Sequence, residues 1–118
     1  MKPAPLVVYQ GTNTNGMSSV AHVILPSAVA AEKDGTFTNI QGRVQRIWPA
    51  VTPLGESKPD SQILIELAAL LGVPLNLPDA QSAFAQLAKQ EPAFAGLTYE
   101  AIADHGALLP GVTAGNGH

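Results

Sequence analysis

The residues whose spacing could support chemistry begin at Gly11-Thr-Asn-Thr-Asn-Gly16, directly after a strand-like run. A glycine-bounded loop in that position can cradle an anion with backbone N–H groups at the start of the next helix. Here the middle glycine of a G-x-G-x-x-G fingerprint is Asn13, and no Walker lysine follows. The reading preferred is therefore a polar loop at the end of a sheet strand, with a free-standing anion-binding module as the bolder alternative. His22 stands beside an apolar run with no second histidine or carboxylate at ligand spacing, which marks a hydrogen-bonded edge residue rather than a base or metal ligand. Glu32 and Asp34 are close in sequence but lack an acid–base partner, and no serine sits in G-x-S-x-G. The chain has no cysteine, which excludes disulfides, a thiolate nucleophile and iron–sulfur ligation by its own side chains. No catalytic residue and no metal ligand is assigned on these grounds.

The elements that would position these groups are short. Leu6-Val7-Val8-Tyr9-Gln10 is β-branched and aromatic, so a strand is expected there. Val23-Ile24-Leu25 is continuously apolar and predicts a second, buried strand, ended by Pro26. Residues 11–21 between them allow a short crossover between parallel strands. Ser27 to Ala31 is small and helix-permissive, and Glu32, Lys33 and Asp34 are expected to pair with each other or to solvate a bend. Asp34-Gly35 turns the chain into Thr36-Phe37-Thr38, and Asn39-Ile40-Gln41-Gly42 is a second turn. Arg43 to Trp48 then alternates polar and apolar as an edge strand does.

Pro49 to Pro59 reads as an extended connection. Asp60 to Leu71 is the clearest helix, stopped by Gly72 and Pro74, and its apolar stripe is expected to be ordinary core. Asp79 predicts the cap of a helix to about Lys89, and Thr98 the cap of a last one, Tyr99 to His105, with Gly106 as its stop. The fold expected is a partial doubly wound, Rossmann-like α/β domain with two parallel strands, a β-hairpin and about three helices. It occupies 1–110, with 111–118 a disordered tail.

HVILP at 22–26, followed by EKDGTFTN at 32–39 and GRVQR at 42–46, resembles a signature of the molybdopterin oxidoreductase superfamily. The match is most similar to the large iron–sulfur subunit of NADH-quinone oxidoreductase (respiratory complex I, an NADH dehydrogenase). GESKPDSQILIELAALLG at 55–72 is similar to that family's continuation. The resemblance is good from Leu6 to about Gly72 and looser from Pro92 to Pro110. Such proteins are several times longer, so it implies a late, C-terminal segment of one.

The resemblance implies a structural and assembly role in the peripheral arm of a complex moving electrons from NADH to quinone, with no complete active site in this chain. It also implies no cofactor in the chain itself, iron–sulfur clusters and FMN elsewhere in the parent complex, and other subunits of a respiratory complex as partners. The implied location is cytoplasmic and peripheral to the inner membrane through that complex.

The alternative is a cofactor-wall segment of a molybdopterin-dependent oxidoreductase such as a formate dehydrogenase. In those relatives the region matching Thr36, Asn39, Arg43 and Gln45 lies near the bound pterin, and hydroxyl, amide and guanidinium groups are the donors a pterin and its phosphates require. The plainer reading of the same four residues is a hairpin whose polar groups satisfy its own turns. Gly42 to Gln45 reads GRVQ, which favours the complex I side.

Composition narrows the setting further. With 118 residues the chain fits one domain, and 46% hydrophobic with 13% charged is ordinary to slightly apolar. A net charge of −3 with six scattered Lys and Arg residues lacks the basic stripe of a nucleic-acid binder. No apolar run is long enough for a membrane span, and no secretory signal is visible, so a cytoplasmic setting is the default expectation. A core of this size has little stability to spare, and a partner is expected to cover any apolar strand surface left exposed.

Overall fold

In a computed structural model, which describes residues 4–112, β-branched and aromatic residues form two parallel strands, β1 (Val8–Gly11) and β2 (Val23–Pro26). The register pairs Val8 with Val23 and Gly11 with Pro26. They belong to the first of two compact units, comprising 4–33 and 49–75; the second comprises 34–48 and 76–112. The strands, an antiparallel hairpin and three helices make a small α/β fold, as expected.

In the first unit one 3-10 turn, Ser18–Val20, is the only helical turn between β1 and β2. Pro26 ends the strand, but the backbone runs on beside it: Ser27 bridges Lys58 in parallel, and Ala28 N–H donates to the Lys58 carbonyl at 2.8 Å. The connection from Pro49 is thus tied to the sheet. Helix α1 (Asp60–Leu70) follows, with Pro59 in the cap position. Gly72 at φ +78° lets its N–H reach the Ala69 carbonyl while Val73 N–H reaches Ala68, closing the helix end.

Two sequence expectations fail in this unit. Val23 and Ile24 are about half exposed, so β2 is not a buried strand. The α1 stripe is not core either: of its residues only Ile63 is buried, while Leu64, Leu67 and Leu70 are exposed. Hydrophobicity predicts where a segment prefers to be; burial also needs atoms to cover it, and within 4–112 those atoms are missing.

The second unit is built on a three-stranded antiparallel sheet, β3 (Gly35–Thr38), β4 (Arg43–Ile47) and β5 (Ala107–Leu108), in the order β3-β4-β5. β4 is therefore central, not an edge, because two residues far along the chain add β5 beside Arg43 and Val44. Its inward residue Val44 is fully buried with Phe84, Tyr99 and Ile102. These come from helices α2 (Ala80–Gln90) and α3 (Tyr99–Ile102). Both N-caps stand where the sequence places them: Ser82 N–H donates to Asp79 Oδ1 at 2.7 Å and Ala101 N–H to Thr98 Oγ1 at 3.1 Å.

Helix α3 stops at Ile102 rather than His105, since Ala103 adopts φ +41°, outside the helical region. Gly111 and Val112 complete a turn in which Val112 N–H donates to the Leu109 carbonyl. The rest of the expected tail, 113–118, lies outside the described residues.

Candidate functional site

The hairpin spends part of its polar inventory on its own turn. Asn39 Oδ1 accepts from Gln41 N–H (2.9 Å) and Arg43 N–H (3.0 Å), while its backbone N–H donates to the Arg43 carbonyl at 3.0 Å. Gly42 closes the turn at φ +73°. One guanidinium nitrogen of Arg43 donates to the carbonyls of His105 and Gly106 at 3.3 and 3.4 Å, long contacts that tether β4 to the segment entering β5. The Gln45 side chain is exposed and makes no hydrogen bond among the described residues; the Thr36 hydroxyl, on a half-buried residue, likewise has no partner among them.

Strand alternation sorts these residues onto faces. Thr36 pairs with Arg46 and Phe37 with Gln45 across the hairpin, so Arg43 and Gln45 share one face with Phe37, and Thr36 lies on the other. Asn39 sits in the turn. The structure brings Arg43 and Gln45 together and does not gather all four. A pterin offers amide-like edges and phosphates, and a guanidinium beside a free carboxamide fits one wall of such a group rather than a full cradle.

The face shared by Val44 and Arg46 is closed by side chains. Arg46 donates to Asp34 Oδ1 at 3.2 Å and stacks 4.1 Å from the Tyr99 ring centroid and 4.8 Å from that of Trp48. Buried beneath it, Tyr99 packs on Phe84 with ring centroids 5.5 Å apart. Burial raises the Tyr99 phenol above its ordinary 10; nearby Asp34 adds to this and Arg46 opposes it.

The densest polar convergence was not foreseen in the sequence and lies in the first unit. Asp60, the first residue of α1, accepts from Gln10 Nε2 on β1 (2.7 Å), from the Ser27 hydroxyl just beyond β2, and from the Lys33 ammonium. Four separated pieces of chain meet on one carboxylate. The sequence places Asp60 only as a favourable acid at a helix start; its partners are far away in the chain and share no local pattern with it. Glu32, Lys33 and Asp34 accordingly do not pair among themselves. Glu32 caps its own 3-10 turn through Val29 N–H (3.0 Å) and accepts from Leu54 N–H (3.2 Å), Lys33 goes to Asp60, and Asp34 goes to Arg46.

Burial by itself would raise the Asp60 carboxyl, but hydrogen bonds from Lys33, Ser27 and Gln10, with the Lys33 charge, override it and bring the group down to about 2. A folded-state pKa below the unfolded value of 3.8 stabilises the fold above about pH 4, and that contribution is lost as pH falls toward 2. The gap corresponds to at most about 2.5 kcal/mol. With the side chain 42% exposed, solvent screening reduces it to about 1 kcal/mol. Denaturant unfolding at pH 6 and pH 2.5, where about two-thirds of the contribution is lost, should therefore show a loss in the native chain that is smaller by about 0.7 kcal/mol in Asp60→Asn. Equal losses in the two proteins would show that the cluster is not coupled to folding.

The Gly11–Gly16 loop is similarly self-contained. Tyr9 folds back over Gly11, where a Cβ would lie 2.4 Å from its hydroxyl, and donates to the Asn13 carbonyl at 2.7 Å. Asn15 Oδ1 accepts from Met17 N–H (2.9 Å) and Ser18 N–H (3.3 Å), and the Ser18 hydroxyl donates to the Asn15 carbonyl. Three backbone N–H groups at the end of the loop, those of Asn15, Met17 and Ser18, are turned to the side-chain oxygens of Ser18 and Asn15, a local pattern typical of polar strand-end loops. His22 Nδ1 accepts from Val7 N–H at 2.9 Å, an edge hydrogen bond like that expected. Among the described residues no three His, Asp or Glu side chains are grouped to hold a metal ion, and no helix is long and apolar enough to cross a membrane.

Comparison with known proteins adds independent findings. Residues 1–70 match the family model described as molybdopterin oxidoreductase. The chain is 42% identical over 88 residues to "Probable oxidoreductase YjgC" of Bacillus subtilis, covering 75% of this chain and 9% of that protein. It is 40% identical over 95 residues to "Putative formate dehydrogenase YrhE" of the same organism, covering 80% and 10% respectively. A Staphylococcus aureus protein, also named "Putative formate dehydrogenase", is 41% identical over 85 residues, covering 72% of this chain and 9% of its own length. The chain thus spans about a tenth of the length of these relatives.

Proposed function

Because the chain belongs to the molybdopterin oxidoreductase family, we propose that it is a wall and scaffold segment of a molybdopterin-dependent oxidoreductase of the formate dehydrogenase kind. The observation that carries this reading is the substantial identity to relatives bearing that name across most of the chain. It replaces the large iron–sulfur subunit of complex I as the preferred reading, because these relatives are named as an oxidoreductase and formate dehydrogenases. GRVQ at Gly42 to Gln45, which had favoured complex I, is four residues; the named likeness spans 85 to 95.

In this reading a molybdenum–pterin group, when bound, would supply the electron-accepting chemistry at its metal, and the surrounding polypeptide would house it. This chain's contribution is placement. Arg43 and Gln45 stand side by side on one face of β4, where a guanidinium and a carboxamide can hydrogen-bond pterin or phosphate edges. Asn39 shapes the turn that presents them, and Thr36 serves the hairpin's other face. Cofactor chemistry comes from the group, while binding and orientation come from the protein.

The test is a full-length chimera in which this segment replaces the matching residues of YrhE. Molybdenum per polypeptide and formate-dependent reduction of an artificial acceptor are measured beside unmodified YrhE. The reading expects both to stay within about threefold of the unmodified protein, less than the roughly tenfold that 1.4 kcal/mol represents. A folded chimera that has lost molybdenum held by unmodified YrhE would contradict it.

A further inference from the structure

We propose that the groove between β2 and α1 is a docking seat for the remainder of the oxidoreductase polypeptide, filled by an apolar segment from outside residues 4–112. This rests on the reading above and specifies which surface joins the segment to its parent.

Three observations point to that occupant. The first is the groove, about 270 Å³, with Leu25, Pro26, Ile63, Leu67 and Leu70 as its apolar lining. Glu56, Lys58 and Glu66 complete the lining; Lys58 and Glu66 pair with each other at 2.6 Å, and Glu56 leaves one carboxylate at the groove.

The second is the character of the two walls. Helix α1, DSQILIELAAL, is apolar around most of its circumference, a pattern found where a helix is surrounded by protein. Yet, of its groove-lining residues, Leu67 is 40% exposed and Leu70 is 86% exposed. Parallel strands are normally covered on both faces, and on β2 the face opposite the groove's Leu25 is also open, with Ile24 48% exposed. A surface of this kind marks an interaction site rather than a solvated face.

The third observation identifies what is missing. The relatives that share this segment are about ten times the length they have in common with it, so most of the polypeptide lies outside the described surface. A wall held in one continuous polypeptide is covered by that polypeptide. A second copy of the short chain would be an alternative occupant, and the same experiment excludes or reveals it.

The test is Leu70→Glu, made both in the 118-residue chain and in the full-length YrhE chimera. Leu70 is so exposed in the chain alone that the substitution should leave its melting temperature within about 2 °C and its hydrodynamic size monomeric. In the chimera a buried, unpaired carboxylate should cut soluble, molybdenum-loaded protein by about tenfold or more.

Equal yield and loading of the L70E and unmodified chimeras would overturn the docking seat while leaving the family reading intact. An unmodified chimera without molybdenum would overturn the reading beneath it instead. If the short chain is a dimer that L70E dissociates, the occupant is a second copy and the proposal fails.

Discussion

Gly106→Ala should lower the stability of the second unit by roughly 3 kcal/mol or more, the largest effect expected of a methyl added at any described glycine. Gly106 sits at φ +71°, where any Cβ is already disfavoured by about 1 kcal/mol. The added carbon would also lie 2.6 Å from the Val44 carbonyl oxygen and 2.9 Å from Gln45 Cγ. Val44 is in the central strand and is fully buried, so its backbone cannot move aside without disturbing β3 and β5 together. Gly96→Ala is the matched control: φ is +81°, but nothing stands within 4 Å of its Cβ, so only the conformational cost of about 1 kcal/mol applies. Thermal melts of both variants decide the matter. Similar melting temperatures would show that the close approach of Gly106 to β4 is not a constraint on folding.

The second large effect is expected at Tyr99, and its sign depends on which atoms are removed. Tyr99→Ala deletes a ring that is 5% exposed and lies between Phe84 and the Arg46 guanidinium, so a loss of about 3–5 kcal/mol is expected. Arg46 would lose its stacking partner in the same step and keep only Trp48 and Asp34. Tyr99→Phe should be neutral or slightly stabilising, because the buried hydroxyl has no hydrogen-bond partner among the described residues and its removal takes away an uncompensated desolvation cost. Chemical denaturation of the pair measures both. A cost above about 1 kcal/mol for Tyr99→Phe would mean that the hydroxyl does have a partner.

How much was legible beforehand follows from the range of each interaction. Asp79, Thr98 and Asn39 act within four residues of themselves, and their cap or turn roles could be read directly from local spacing. The parallel pairing of β1 with β2 needed only two β-rich runs and a connection long enough to cross over. Asp60 with its three donors, Arg46 on Tyr99, and β5 beside β4 join residues far apart in the chain, and no local periodicity encodes such pairings. The third helix ended early for a related reason: Ala103 leaves helical geometry at a residue with good intrinsic helix propensity, so tertiary context prevailed.

Burial was misjudged in one direction. β2 and α1 have the composition of core elements and are exposed in the chain as described. Their hydrophobic patterning is consistent with the much longer polypeptide in which the relatives carry this segment. The candidate site divides likewise. Polar donors on the hairpin were identifiable from sequence, whereas the face each occupies depends on register, which separates Thr36 from Arg43 and Gln45.

On the function proposed above, this segment would shape and brace a molybdopterin enzyme whose redox chemistry resides elsewhere in a longer polypeptide. The most direct test compares formate oxidation by the 118-residue chain alone with that by the full-length chimera, each assayed for molybdenum in the same preparation. The account predicts formate-dependent acceptor reduction and molybdenum in the chimera, and neither in the short chain. Turnover of formate by the short chain unaided would contradict it, as would a well-folded chimera inert toward formate and free of metal beside an active, loaded YrhE.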